Sequence, residues 1–335
     1  MKWIIASPYQ VDTQQGFWSS VQQQNEENEL IVCQAQYKHN RSRSKSSKQD
    51  WLDYWNHASQ AWKLASEYSA GIVTAFPQLP VCTGIKKRLT SSQTPILATT
   101  FNLGGLHGSY KQALARFALK NIDGFIVHST AEITHYSQYL NLAADKFHYI
   151  PLHKTIIEPT EQEEYEMPFI LAMGSANRDY NTLFRALEKL KYPLTIVAPK
   201  HVTDKLTIPD FVTVKSNLTL NQCRALVQKA RLNIIPIDND KTASGQVTLI
   251  EAMMFKKAVI ATDTIGTRDY IQHGQTGLLT PNNAIDKLSE AIEELWTNSE
   301  QRNKLAGQAQ TYIKSELNHK KTAARLTTVM QNIKL

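Results

Sequence analysis

Hydrophobic residues in this chain gather in short runs separated by stretches with helical spacing. The runs at 3–7, 29–35, 71–76, 95–101, 124–128 and 148–151 predict strands. Between them, 51–67 and 110–120 predict helices. In the first helix Trp51, Trp55, Trp62 and Leu64 fall near one face and are expected to face the core. A second series follows, with strands at 169–173, 194–198, 212–215, 232–237, 258–262 and 277–279 and helices at 181–190, 221–229, 246–255 and 284–297. The stretch 299–335 reads as helix throughout. Such alternation is the pattern of parallel α/β folds, and the gaps are long enough for right-handed crossovers.

Residues 156–167 are acidic, contain Pro159 and lack periodicity, which predicts a linker. The expected domains are 1–157 and 158–317, with a helix at about 318–335 packing back on the first. Two such sheets are expected to face each other across a cleft, with ligands outside the carboxyl ends of the strands. A length of 335 residues suits two domains, and the opening Met1–Ala6 looks like a strand rather than a signal-peptide core. Cys33, Cys82 and Cys223 lack paired spacing and are expected to be reduced core thiols of a cytoplasmic protein.

The net charge is +7, and the first half holds most of the excess: fifteen Lys and Arg against ten Asp and Glu through residue 155. The run from Lys38 to Lys48 and the cluster Lys86-Lys87-Arg88 suit contact with an anionic membrane, and equally suit solvated surface. The run from Lys38 to Lys48 has no interleaved aromatic residues, so nucleic-acid binding is not expected.

The segment with most chemistry is Ala243-Ser244-Gly245-Gln246-Val247-Thr248-Leu249-Ile250-Glu251-Ala252-Met253. A helix opening after Ser244-Gly245 presents unpaired N–H groups beside the positive end of its dipole, which suits a phosphate. An ordinary helix cap is the plainer reading. Glu251 lies one and a half turns further on among apolar neighbours. Either it is exposed, or it needs a partner such as a ribose diol. Asp238-Asn239-Asp240 has the form of a metal site, but no flanking strands support one.

The run 244–281 continues through Thr262-Asp263-Thr264-Ile265-Gly266 to Gly274-Gln275-Thr276-Gly277-Leu278-Leu279. It resembles the donor-binding signature of family 4 glycosyltransferases of the GT-B fold, in motif order and spacing. The resemblance implies two Rossmann-like domains, the first binding the acceptor and the second a nucleotide-sugar. It also implies transfer with retention of anomeric configuration, while Arg178 and the amides near Gly245 suit a route without metal or further cofactor. Met173-Gly174-Ser175-Ala176-Asn177-Arg178 resembles the family's loop of diphosphate-binding cations. Arg178 stands in the lysine's place, and Lys200 or Lys241 is the candidate for the other cation. Gln15-Gly16-Phe17 is similar to the glycine loop near the sugar and diphosphate. Ser244, Gly245, Gln246, Val247, Ile265 and Gly266 would line the donor, with Glu251 on the ribose. Near the reacting carbon the family has a histidine. Asn102 stands there in this chain, followed by His107 in a Gly-rich loop, while His128 ends the next strand and suits either the cleft or the core.

Other departures are Ala243 where the family has its first glutamate, Lys256 for a glycine and Ala258 for a proline. The hydroxyl acceptor, a glycan, lipid-linked saccharide or small molecule, is not specified. Fixed cations and a helix N-terminus would stabilise the departing diphosphate. On this reading Arg178→Ala is expected to cost catalysis far more than folding. A nucleotide-sugar epimerase or phosphorylase on the same fold and a non-catalytic partner subunit are the alternatives. A dehydrogenase is disfavoured because no Gly-x-Gly-x-x-Gly follows a strand.

Overall fold

The computed structural model describes residues 2–25, 29–39, 46–106, 108, 110–238 and 240–333. The chain divides into two compact units, Met1–Pro151 with His319–Leu335, and Leu152–Asn318. In the first unit the order is β1 (Lys2–Ser7), α1 (Gly16–Gln24), β2 (Glu29–Gln34), α2 (Lys48–Tyr68), β3 (Gly71–Ala75) and α3 (Gln78–Thr90). There follow β4 (Ile96–Thr99), α4 (Tyr110–Leu119), β5 (Gly124–Val127), α5 (Thr130–Leu140) and β6 (Phe147–Tyr149). The second unit contains β7 (Ile170–Met173), α6 (Tyr180–Leu187), β8 (Leu194–Val197), α7 (Lys200–Thr203), β9 (Val212–Lys215) and α8 (Leu220–Lys229). It continues with β10 (Leu232–Ile235), α9 (Gln246–Met254), β11 (Ala258–Thr262), β12 (Leu278–Thr280), α10 (Ile285–Thr297) and α11 (Ser299–Glu316). Then α12 (His319–Asn332) returns to the first unit.

Among the described residues each unit holds one six-stranded sheet with parallel neighbours, in the order β2-β1-β3-β4-β5-β6 in the first unit. Its strands read as near-continuous apolar runs because both faces are covered. Alternation sorts β1 between them: Ile4 and Ala6 pack with Tyr54, Ala58, Ala61 and Ala65 of α2, whereas Trp3 and Ile5 pack with Val21 and with Ala323, Leu326 and Met330 of α12.

The aromatic stripe expected on α2 is not its core face. Small alanines let the helix approach the sheet, so Tyr54, Ala58, Ala61 and Ala65 are buried. Trp51 is exposed, and Trp55, Trp62 and Leu64 sit at the rim. The helix expected across 299–335 is broken at Leu317 and Asn318. The Asn318 amide caps the carbonyls of Lys314 and Ser315 at 2.9 and 3.0 Å, and Leu317 is buried.

The second sheet, taken from β9, runs β9-β8-β7-β10-β11-β12, the 3-2-1-4-5-6 order of the Rossmann fold. Residues 156–167 are no free linker. The amides of Thr160 and Glu161 bond Gln228 Oε1 on α8, and Glu163 pairs with Arg231 at 2.9 Å and Lys257 at 3.6 Å. Acidic composition here reflects docking onto cations. Cys33 and Cys82 are buried, and burial pushes their thiols up to about 11 and about 12. Cys223 is only partly covered.

Candidate functional site in the second unit

Strand order reverses between β7 and β10, the position at which open α/β sheets bind ligands, outside the carboxyl ends of the strands. The loops following these two strands carry Gly174, Arg178, Ser244 and Gly245 of the expected donor residues. They are knitted together by an isolated bridge between Arg178 and Ile237, by Asp179 N donating to Pro236 O, and by Asp238 N donating to Asn177 O.

Arg178 is held firmly. Its Nε donates to Met173 O at 2.8 Å, Nη1 to Ala176 O at 2.7 Å and Nη2 to Thr248 Oγ1 at 3.5 Å, in the first turn of α9. The guanidinium lies over Gly174 (φ +122°), where a Cβ would stand 2.6 Å from Nη2, so only glycine leaves it room. Burial lowers the Arg178 pKa from the ordinary arginine value, with Tyr180 and Asp238 opposing. The expectation that its loss would spare folding is therefore corrected: the side chain bridges two backbone carbonyls and a neighbouring helix.

α9 begins at Gly245 (φ +88°), which brings no side chain to cap it, while the adjacent Ser244 Oγ is buried without a hydrogen-bond partner. Gln246 is buried and Val247 exposed in this turn. The loop after β11 packs on the same turn, since a Cβ on Gly266 would lie 2.5 Å from Ser244 N. Asp240 Oδ1 accepts from Ile265 N at 2.9 Å, so this carboxylate of the expected Asp-x-Asp motif orders a loop. Asn239 lies outside the described residues. Ser244, Gly245 and Gly266 thus lie together, and Arg178, seated over Gly174, reaches the first turn of α9 through Thr248.

Glu251 is buried and carries two cations, Arg224 Nε at 2.9 Å and Lys154 Nζ at 3.1 Å, both on Oε1. The partner expected from a ribose is thus supplied, for that oxygen, by the protein. Sequence reasoning missed Arg224, Lys154 and Thr248 because their roles depend on contacts between elements distant in the chain. Lys200 opens the short helix α7 after β8 and is exposed; Lys241 is exposed in the loop before α9.

In the first unit Gly16 (φ +76°) opens α1, with His319 of α12 beside it. Asn102 Oδ1 accepts from Gly104 N at 2.7 Å, shaping the turn after β4. Leu103 N donates to Tyr136 OH at 3.2 Å, and that hydroxyl donates to buried Glu132 at 2.9 Å. His107 lies outside the described residues. His128 belongs to the core: its Nδ1 donates to Ile150 O at 2.7 Å, and burial lowers its pKa. Lys86 lies over Trp55, Lys87 pairs with Asp123 at 2.7 Å, and Arg88 lies over Phe117. Residues 40–45 of the basic run lie outside the described residues.

Residues 159–312 match the family model described as Glycosyl transferases group 1. Among curated proteins there is no match. Solved structures of similar fold include sucrose-phosphate synthase from Thermosynechococcus elongatus (TM-score 0.70, 16% identity, 99% of this chain and 98% of that one). Anabaena Alr3699/HepE in complex with UDP-glucose gives TM-score 0.69 at 13% identity, covering 99% of each chain. The lipopolysaccharide outer core galactosyltransferase WaaB gives 0.66 at 14%, covering 99% of this chain and all of that one. At such identities the likeness is one of fold, and the fold is GT-B. Together with the family match in the second unit, it supports a GT-B glycosyltransferase.

Proposed function

We propose that this chain transfers a sugar from a nucleotide-diphosphate-sugar to a hydroxyl acceptor, with retention and without a metal. The observation that carries the reading is the reach of Arg178 to Thr248 across the β7/β10 reversal, which sets a fixed cation beside a helix start that receives no side-chain cap from Gly245. A diphosphate leaving group gains negative charge in the transition state, and preorganised donors stabilise that charge at no reorganisation cost. In this scheme the bond from the sugar's anomeric carbon to the diphosphate oxygen breaks as the acceptor oxygen attacks the same face. The acceptor proton passes to the departing phosphate oxygen.

Arg178 and the first turn of α9 hold the diphosphate, and the backbone at Ile265 and Gly266 borders the donor. Glu251 takes a ribose hydroxyl while Arg224 and Lys154 hold its other carboxylate oxygen and aim it. Loops following the strands of the first unit select the acceptor.

The test is a melting-temperature screen against UDP, GDP, ADP, CMP and dTDP, followed by turnover with the matching donor in the presence of EDTA. One diphosphate is expected to raise the melting temperature. The product should keep the donor's anomeric configuration by NMR. Inversion, or dependence on a divalent ion, would overturn the finer reading; no response to any nucleotide would overturn the whole.

A further inference from the structure

α4 is a helix that hides little of itself. Only Ala118 and Leu119 are buried, while Tyr110, Leu114 and Phe117 are 73%, 55% and 43% exposed. Their spacing of four and three residues places them on one face. Leu89, 71% exposed, extends the apolar surface onto α3, which packs against α4; Arg88 of α3 lies 4.2 Å over the Phe117 ring. Single exposed apolar residues are ordinary, but four large ones on two packed helices form a patch.

The charges around the patch are all of one sign along the chain. Between Glu67 and Asp123 there is no Asp or Glu, and Lys86, Lys87, Arg88, Lys111, Arg116 and Lys120 fall in that stretch. The nearest acid, Asp123, is taken up by Lys87 at 2.7 Å and by the Ile96 amide. Beside the helix ends a polar cavity of about 390 Å³ is lined by Lys87, Arg88, Lys120, Lys146 and Asp123. It has room for a phosphate-sized headgroup.

We infer that the face formed by α4 and the end of α3 docks the protein on an anionic lipid surface. Tyr110, Leu114, Phe117 and Leu89 enter the boundary between headgroups and acyl chains, while Arg88, Lys111 and Lys120 meet the anionic headgroups. An exposed apolar face flanked by cations, on a stretch of chain that carries no carboxylate, is the chemistry of an interfacial helix. A second copy of the chain would carry the same positive charge on its own matching face, so electrostatics oppose self-association there. Membrane docking of this face does not depend on the reaction proposed above.

The experiment is flotation of the full chain with vesicles of phosphatidylcholine alone or with phosphatidylglycerol, without any nucleotide. Binding is expected only to the anionic vesicles, weakening as salt rises. Lys111→Gln and Lys120→Gln should each reduce it about fivefold. Leu114→Gln should reduce it tenfold or more, because the apolar side chain no longer enters the bilayer. All three sites are exposed, so unchanged melting temperatures are expected to certify folding. Equal binding to neutral vesicles, or a Leu114→Gln protein that binds as well as the parent, would overturn the inference. Concentration-dependent dimerisation abolished by Leu114→Gln would overturn it in favour of a second copy.

Discussion

The backbone of Gly266 lies against that of Ser244 so closely that a Cβ on Gly266 would stand 2.5 Å from the Ser244 amide nitrogen. Backbone cannot swing aside as a side chain can. Gly266→Ala is therefore expected to cost about 1–3 kcal/mol by overpacking and to shift the opening turn of α9. Urea unfolding would report the first effect and calorimetric titration with a nucleoside diphosphate the second. An unchanged midpoint and affinity would mean that the two loops do not meet in solution.

Arg178→Ala should lower both stability and turnover, since Met173 O and Ala176 O lose their donor. Loss of a preorganised cation at a developing anion is expected to reduce kcat about 10²–10³-fold. Arg178→Lys keeps the charge without the planar fork, so it should recover less than a tenth of that loss. Denaturation curves beside steady-state kinetics separate the two effects, and full turnover in Arg178→Ala would refute the diphosphate assignment.

Glu251 and Arg224 should be strongly coupled. Glu251→Gln leaves Arg224 and Lys154 facing each other without the carboxylate between them. Arg224→Met in that background should then cost far less than in the parent. A double-mutant cycle is expected to give a coupling of about 1–3 kcal/mol. Additive effects would mean that the pair is not formed.

Lys256 occupies the left-handed region at φ +55°, just past the end of α9, where Lys257 N bonds Ala252 O. A helix commonly ends with glycine in this conformation. Lys256→Gly should raise stability by up to about 1 kcal/mol, visible as a higher urea midpoint with unchanged slope. A lower midpoint would show that the lysine side chain contributes more than its backbone costs.

Burial holds the pKa values of His57, His128, His148 and His319 below the ordinary 6.5. Below pH 6.5 the unfolded chain therefore binds more protons than the folded one, and stability falls as pH falls through that window. Melting temperature should be flat just above pH 6.5 and decline toward pH 5. His57 is the clearest contributor: its Nε2 donates to Cys33 O at 2.8 Å, and its Nδ1 accepts from Tyr37. If the melting temperature holds steady from pH 7 to pH 5, these histidines are not buried as described.

Strand positions were legible because doubly covered parallel strands leave apolar runs that nothing else in the chain imitates. Ser244, Gly245 and Gly266 were named together through the order and spacing of motifs that resemble a donor-binding signature, and their backbones do meet. What the chain hid was partnership at a distance. Arg178 looked like a surface cation until Thr248, seventy residues on, was seen beside it. Glu251 looked unpartnered because Lys154 and Arg224 come from separate elements. The tryptophans of α2 are its bulkiest apolar side chains, yet the alanines set how near the helix can come to the sheet.

Because α12 covers one face of the first sheet, Trp3 and Ile5 wait for Ala323, Leu326 and Met330 before their core is closed. During synthesis the second unit emerges whole and is able to fold while the first still shows a greasy, unfinished side. Chaperones that shield nascent chains would meet this protein at its first unit rather than its second.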